Sequence, residues 1–418
     1  MRIGYLTSQY PATSHTFIRR EVEALREQGL AIETFSVRRP DSGEIDMEWD
    51  RRAFEGTFYL LPISFFRLCI AHAVALVERP GSYIRTFLLA LRHRAPGMRS
   101  FVWAFFHFAE SIVLAQQLRR SGITHLHNHF ANSAANVGLL ASRFLEMPWS
   151  LTLHGISETD YPAGLLLADK IKEARFVACV SWFGRAQAMR ITRPDQWDKF
   201  ETVRCGVNLI GLPVPAVRTQ PLRVICVGRL SSEKGHAGLL EAFANLIVRG
   251  VRAQLVLVGD GPERDALVRQ SAALGLEDDV EFVGRKNERD VQMEIANSDL
   301  LVLPSFMEGL PVVLIEAMAI GVPVVASCVA GIPELIDDGT EGLLFRPADW
   351  HALSEAMAQL LSDCNMRANI VEAARKKVIS EFDIRRAVVP LIGRFVSQAQ
   401  GTSAVDPALI AKDDNVFR

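Results

Sequence analysis

This sequence has no excess of charge of either sign. Across its 418 residues, 46 Lys and Arg stand against 48 Asp and Glu, a formal net charge of −2, so nothing global points to nucleic acid as a partner. Cysteine is scarce and scattered. Cys69, Cys179, Cys205, Cys226, Cys328 and Cys364 form no C-x-x-C pair and no His/Cys ligand spacing. That argues against a zinc site or a disulfide framework and fits a reducing, cytoplasmic setting. Neither G-x-x-x-x-G-K-[ST] nor G-x-G-x-x-G occurs, which disfavours a simple ATPase or a dehydrogenase. Long apolar runs are missing too: Leu60 to Val77 is broken by Pro62 and Arg67 and falls short of a membrane span. The opening MRIGYLTSQYP reads as the start of a strand rather than a signal peptide.

What the sequence does have is alternation. With 49% hydrophobic and 22% charged residues the composition is globular, and the length favours two domains over one. Ile3 to Leu6 reads as a buried strand, followed by a loop, a helix from about Phe17 to Gln28 that Ser14 or Thr16 could cap, and a strand from Ile32 to Val37. That opening is a Rossmann-like strand–helix–strand unit. His15 sits in the first loop, either facing the crevice or as a plain surface histidine beside a helix start. Residues 41–57 are polar and read as a loop.

The block 58–120 is different. Arg67, Arg79, Arg85, Arg92, Arg94, Arg99, Arg119 and Arg120 face only Glu78 and Glu110, so eight charges minus two leave a local net of +6. Helical spacing fits Ser82 to His93 and Phe101 to Leu118. A basic helix with a large apolar face suits contact with an anionic membrane; the alternative is packing of the apolar faces against the sheet.

Ile123 to His127 reads as a further strand, running into His127-Asn128-His129-Phe130. H-x-H-x-H puts three imidazoles on one face, but no carboxylate cluster accompanies them and no metal is expected. Trp149 to Leu153 is a strand ending at His154-Gly155, where open α/β sheets place functional residues. Phe176 to Val180 and Thr202 to Arg204 complete the set. Pro213, Pro215 and Pro221 mark a linker.

The second half repeats the architecture with different residues. Leu222 to Val227, Ala253 to Val258, Val280 to Val283, Leu300 to Leu303 and Val324 to Ala326 read as strands with helices between them. The stretch DLLVLPSFMEGLPVVLIEAMAIGVPVVAS (299–327) organises this half: strand, loop, helix, turn, strand. Pro311 suits the first helical turn, and Gly321 with Pro323 closes the helix. Glu308 and Glu316 bracket its start, where free N–H groups favour an anion. Arg229 and Lys234 share the loop after the first strand of this half. A planar donor fork and a compact ammonium beside a helix start suit a diphosphate.

The motifs GRLxxEKG (228–235), VGDGP (258–262), FVG (282–284) and E-x7-E (Glu308, Glu316) occur in the order seen in the retaining glycosyltransferases of family 4, which this chain resembles. The opening YPATSHTFIRREVEAL is similar to a subset that builds exopolysaccharides, of the colanic acid type. Those usually carry S-E-T-F where this chain has Ser14-His15-Thr16-Phe17, and many members have a Gly-Gly pair in that loop that is absent here. The resemblance implies two Rossmann-like α/β domains facing across a cleft, the GT-B fold. These would be an acceptor-binding domain over 1–206 with the insert 58–120, a linker over 207–221, and a nucleotide-sugar-binding domain over 222–383. A C-terminal helix over 384–400 that could cross back to the first domain, and a loose tail over 401–418, would follow.

The resemblance also implies roles. Arg229 and Lys234 would bind the donor diphosphate, and Glu316 the ribose hydroxyls. Glu308 would lie beside the donor sugar, and the backbone of Gly309, Leu310, Pro311 and Val312 would hold sugar hydroxyls and phosphate. Gly284 and Arg285 would border the base, and His154 would sit near the reacting carbon. The donor would be a UDP- or GDP-sugar and the acceptor a glycan or a polyprenyl-diphosphate-linked oligosaccharide. No D-x-D occurs, so the Arg/Lys pair would stand in for a metal and no cofactor is expected. A nucleotide-sugar epimerase on the same fold, or a silent scaffold subunit, are the alternatives.

Overall fold

The computed structural model of the chain describes residues 1–12, 15–40, 47–216 and 221–399. It divides into two compact units, Met1–Arg204 together with the chain from Ala387 on, and Cys205–Arg386.

In the first unit, seven strands are found among the described residues: β1 (Arg2–Gln9), β2 (Ala31–Arg38), β3 (Thr57–Tyr59), β4 (His125–His129), β5 (Trp149–Leu153), β6 (Val177–Cys179) and β7 (Phe200–Thr202). They form one parallel sheet in the order β3-β2-β1-β4-β5-β6-β7. The order reverses direction between β1 and β4, and ligands of open α/β sheets bind at such a point, outside the carboxyl ends of the strands. Helices α1 (Thr16–Glu27), α2 (Glu48–Glu55), α3 (Phe65–Glu78), α4 (Pro80–Arg92), α5 (Met98–Arg120), α6 (Ser133–Leu145), α7 (Ile156–Thr159), α8 (Leu167–Glu173) and α9 (Trp182–Arg190) connect them.

Asn132 Oδ1 caps α6 by accepting from Ala134 N at 3.0 Å, and α6 is buried along almost its whole length against α5 and the sheet. α5 changes character along its axis. From Ile112 to Leu118 it is core, whereas Phe101, Val102, Trp103, Phe105 and Phe106 are exposed. It is the one helix among the described residues that is long and apolar enough to cross a membrane, and its inner half is spent on the core instead.

Several boundaries differ from the sequence reading. Residues 48–55 of the expected 41–57 loop are helix, and Thr57–Tyr59 adds an edge strand through the pairing of Thr34 with Thr57. The strand expected at 123–127 runs His125–His129, which carries all three histidines inside the sheet. The last strand of the unit ends at Thr202 rather than Arg204. The residue before α1 is His15, with no side-chain cap, and Ser14 lies outside the described residues.

The second unit holds β8 (Leu222–Val227), β9 (Ala253–Val258), β10 (Val280–Gly284), β11 (Leu300–Leu303), β12 (Val324–Ser327) and β13 (Leu343–Phe345). Among the described residues they form a parallel sheet in the order β10-β9-β8-β11-β12-β13. Its central strands read as continuous apolar runs because both faces are covered, by α10 (His236–Val248), α11 (Arg264–Ala273), α12 (Glu288–Ala296), α13 (Val312–Ile320), α14 (Ile332–Leu335), α15 (Trp350–Ser362) and α16 (Cys364–Glu381). Gly321 closes α13 at φ +101°, a conformation in which a Cβ would be strained. Pro311 is the cap residue of α13 rather than part of its first turn.

After α17 (Ile384–Ala387), helix α18 (Val389–Ala399) packs on the first unit. Phe395 meets the rings of Tyr5, His125, His127 and Phe176 at 5.3 to 6.4 Å, and Arg394 Nε donates to Glu201 Oε2 at 2.9 Å. All six cysteines are free thiols.

Candidate functional site

In the second unit the site grows from adjacent strands. β8 and β11 are neighbours, so the loops that follow them leave the sheet side by side. The first of these, 228–235, ends in a short 3-10 turn, Ser232–Lys234, and then Gly235 at φ +69°. A Cβ on Gly235 would lie 2.2 Å from the carbonyl oxygen of Pro304, the residue that ends β11, and one on Gly259 would lie 1.9 Å from that of Gly228. Glycine at 235 and 259 is what lets three strand-end loops close on one another. The contact they make is polar: Lys234 Nζ donates to Glu308 Oε1 at 2.6 Å, and Ser305 Oγ donates to the same oxygen at 2.6 Å. Glu308 and Glu316 are 8% and 7% exposed. Glu316 Oε1 accepts from Gln292 Nε2 at 3.4 Å.

Of the residues singled out from sequence, Lys234, Glu308, Gly309, Leu310, Pro311, Val312 and Glu316 lie on the loops after the neighbouring strands β8 and β11 and on the helix that follows the second, α13. Arg229 is exposed on the same loop as Lys234, and both charges help to hold the Glu233 carboxyl below its usual range, after the hydrogen bond from Ser231. Gly284, at φ +74°, ends β10, and Arg285 beside it is exposed with Nε 3.9 Å from Asp260 Oδ2. His154 belongs to the first unit. His236 escaped the sequence reading: it opens α10 beside Lys234, buried, with no hydrogen-bond partner of normal geometry at either nitrogen, and burial lowers it to about 4.

In the first unit the strand ends are tied together from below. Glu158 Oε1 accepts from Ala131 N at 2.5 Å, and Oε2 from His154 N at 2.6 Å and Gly155 N at 3.3 Å. One carboxylate thus fixes the chain leaving both β4 and β5. Lys170 of α8 holds the carbonyls of Ala131 and Leu165, each at 2.6 Å, and burial lowers it to about 7.

Above that scaffold runs a buried chain of polar groups. Tyr5 OH donates to Glu21 Oε1 at 2.9 Å, Glu21 Oε1 lies 3.3 Å from His129 Nε2, and His129 Nδ1 meets His154 Nε2 at 2.8 Å. His154 stacks on His129 and touches Phe17 and Phe130, and Phe130 itself sits at φ +64°. His154 Nδ1 is buried without a partner among the described residues. Burial, then the neighbouring His129 and His15, keeps His154 well below the usual imidazole range. His15, against Phe130, is lowered to about 4 by burial and then by His129.

The sequence shows no carboxylate cluster beside H-x-H-x-H, and in the structure one carboxylate joins it: Glu21 comes from α1 to lie with His127 and His129, their ligand atoms all within 4.8 Å of one another. His127 already spends both nitrogens, on Ser150 Oγ at 2.7 Å and Thr152 Oγ1 at 2.8 Å, and His125 Nε2 meets Ser150 Oγ at 2.7 Å. Nothing local in the sequence signals Glu21. The only hint is its place, with Tyr5, on the first strand–helix unit of the sheet.

With this geometry in view, the chain was compared with known proteins. Residues 213–377 match the family model described as glycosyl transferases group 1. A protein of Escherichia coli (strain K12), provisionally named the colanic acid biosynthesis glycosyltransferase WcaL, is 27% identical over 415 residues, which cover 92% of this chain and 96% of that one. The amylovoran biosynthesis glycosyltransferase AmsK of Erwinia amylovora is 28% identical over 409 residues, again 92% and 96%. Among solved structures, HepE of Anabaena in complex with UDP superposes with a TM-score of 0.68 at 18% identity, covering 96% of this chain and 100% of that one.

Proposed function

We propose that this chain, whose fold is GT-B and whose residues 213–377 match the group 1 glycosyl transferase model, is a glycosyltransferase that moves a hexosyl group from a nucleoside-diphosphate donor to a growing surface polysaccharide, with retention and without a metal. The observation that carries the reading is the 2.6 Å contact of Lys234 with Glu308 at the ends of neighbouring strands. Breaking a glycosyl–phosphate bond puts negative charge on the diphosphate. A preorganised donor aimed at charge as it develops contributes about 3 kcal/mol. Lys234 is already oriented, by a buried carboxylate that is itself held by Ser305, and Arg229 adds a second cation on the same loop. The start of α13 offers N–H groups to phosphate or sugar hydroxyls. Glu316 takes the ribose hydroxyls, Gly284 and Arg285 flank the base, and Glu308 faces the sugar.

Glu308 and Glu316 sit on one loop and the helix after it, so a double-carboxylate hydrolysis across one bond is not supported. Retention then has the leaving phosphate oxygen take the acceptor proton on the same face. In the first unit His129 Nε2 makes no hydrogen bond of normal geometry to Glu21 Oε1, 3.3 Å away, but the negative charge of a carboxylate there favours the His129 proton at Nε2, which leaves Nδ1 to accept from His154 Nε2–H and His154 Nδ1 as an acceptor for a sugar or acceptor hydroxyl. The test is a panel of UDP- and GDP-sugars with a lipid-linked oligosaccharide acceptor, in EDTA, with the product anomer read by NMR. Inversion of the anomer, or turnover that needs an added divalent ion, would sink the mechanism. Epimerised sugar formed from donor alone would replace transfer with isomerisation.

The acceptor reading places the work at a membrane, and the α3–α5 face supports this. Phe65, Phe66 and Met98 are 74%, 79% and 77% exposed, with Val77 and Ile84 also bare. So many bare large apolar side chains on three successive helices suit contact with an apolar phase. The basic excess seen in sequence is partly spent: Arg85 pairs with Glu146 at 3.2 Å, Arg119 with Glu78 at 2.5 Å, and Arg79 reaches the carbonyls of Phe144 and Leu145. Arg92 and Arg99 stay exposed. Co-sedimentation with vesicles containing anionic lipid should weaken when both become Glu, and equal sedimentation of variant and wild type would remove the idea.

A further inference from the structure

On the reading that the chain transfers sugar to a lipid-borne acceptor, we propose that a cavity between α4, α5 and the strand ends of the first sheet holds the phosphoryl group of that acceptor. The cavity is about 320 Å³ and is lined by Arg38 at the end of β2, by His93 and Arg94 after α4, by Trp103 on α5, by Asn136 on α6 and by Lys170. Its place is the one where parallel sheets take ligands, beyond the carboxyl ends of β2 and β4.

Three features point to an oxyanion. First, donors there are unspent. His93 is 7% exposed, and its Nε2, together with Arg94 Nε, is buried with no hydrogen-bond partner of normal geometry among the described residues. A native interior seldom leaves such groups idle unless something else satisfies them. Second, the charge is one-sided. Among the described residues no carboxylate lines the cavity. Asp169 stands 3.9 Å from His93 Nδ1, and Glu110, beside Arg38, is pushed up to about 7 by burial. Third, the helix starts of α5 and α6 both border it, through Ser100 and Ser133. α5 has no side-chain cap over its first turn, so its free N–H groups and positive end are available to an anion.

The geometry also separates a lipid phosphate from an ion in solution. Arg94 lies over the Phe101 ring, 5.2 Å from its centroid, and Phe101 and Trp103 belong to the exposed apolar face of α5. One wall of the cavity therefore runs into the surface that suits acyl or isoprenoid chains. A head of phosphoryl oxygens with an apolar tail fits both ends. Arg94, counted from sequence among the membrane-facing arginines, is a cavity residue instead.

The test is calorimetric titration of the full chain, carried in an Arg229→Ala/Lys234→Ala background so that the nucleotide side cannot bind the probe. Farnesyl diphosphate and inorganic pyrophosphate are the two probes. Farnesyl diphosphate should bind more tightly than pyrophosphate, and its affinity should drop about tenfold or more in Arg94→Met, as expected when a charged donor is lost. Arg38→Gln, at an exposed position, should weaken it as well without threatening the fold. Binding of neither probe, or affinities unchanged by both substitutions, would overturn the assignment. Equal affinity for the two would give the cavity to free phosphate and overturn the acceptor role. Donor turnover by the wild type with no farnesyl diphosphate binding would remove this inference and leave the transferase reading standing. Intact binding with no turnover of any donor would do the reverse.

Discussion

The two units share a parallel sheet and put their polar chemistry at the same ends of the strands, but they hold it differently. In the second unit the ionic groups of the site sit on the loops after the neighbouring strands β8 and β11 and on α13, and two of them, Glu308 and Glu316, are buried. In the first, Tyr5, Glu21, His125, His127 and His129 are inside the sheet or directly under it. The second arrangement tolerates charge because solvent and ligand can reach it. The first surrounds its carboxylate with imidazoles, several of which burial holds below the usual range. Burial is the leading reason that His15, His93 and His107 are lowered to about 4 and His125 to about 3. The second unit has one such group, His236.

That asymmetry makes acid the sharpest way to tell the units apart. An imidazole whose folded value is depressed contributes stability that is complete above its unfolded value of 6.5 and lost as pH falls toward the folded one, here about 4. Within that window each histidine costs as much as ~1.4 kcal/mol per pH unit. Glu110 works the other way: raised to about 7, it regains stability on acidification. Four depressed histidines outweigh it. Between pH 7 and pH 5 the first unit should loosen well before the second, as hydrogen exchange corrected for intrinsic rate would resolve. Uniform loosening of both units, or an acid-stabilised first unit, would end the comparison.

The next largest effect lies in the second unit and on activity. Lys234→Ala should lower donor turnover by about a hundredfold or more, the scale of one lost oxyanion donor. Stability should change far less, because Glu308 keeps its hydrogen bond from Ser305. A loss confined to the KM for donor, with kcat intact, would mean that Lys234 binds the ground state only and does not meet the developing charge.

The contrast also explains what could be read in advance. Lys234 and Glu308 were legible because each lies in a short motif at a strand end, and a parallel sheet brings strand ends together whatever the intervening helices do. The alternation of apolar runs fixed both sheets for the same reason. Glu21 was not legible. Its partners, Tyr5 and His129, are 16 and 108 residues away in sequence, and α1 had first to be packed on β1 for its carboxyl to arrive. Residues 48–55 read as polar and so as loop, yet they form a short exposed helix with no buried residue; hydrophobic periodicity cannot signal a helix that packs so little. Arg94 was counted by charge alone, and charge does not say which way a side chain turns after a helix ends.

The subtlest separation of the two designs is Glu21→Gln. If Glu21 is present only to fill space under β1 and β4, the amide is nearly isosteric and turnover should be unchanged. If it sets the imidazole tautomers, the amide can donate as well as accept, His129 is no longer obliged to carry its proton at Nε2, and His154 Nδ1 loses its fixed role as acceptor. Outer-shell changes of this type lower activity by roughly tenfold to a hundredfold where they orient a functional imidazole. The loss should fall on kcat with acceptor present, and acceptor-independent hydrolysis of the donor should be spared, since the donor contacts lie in the other unit. Asp at the same position should recover little, because a shorter stem pulls the carboxyl away from a contact already at 3.3 Å. A Glu21→Gln enzyme with full transfer and an unaltered pH profile would reduce the whole buried chain, from Tyr5 to His154, to structural packing.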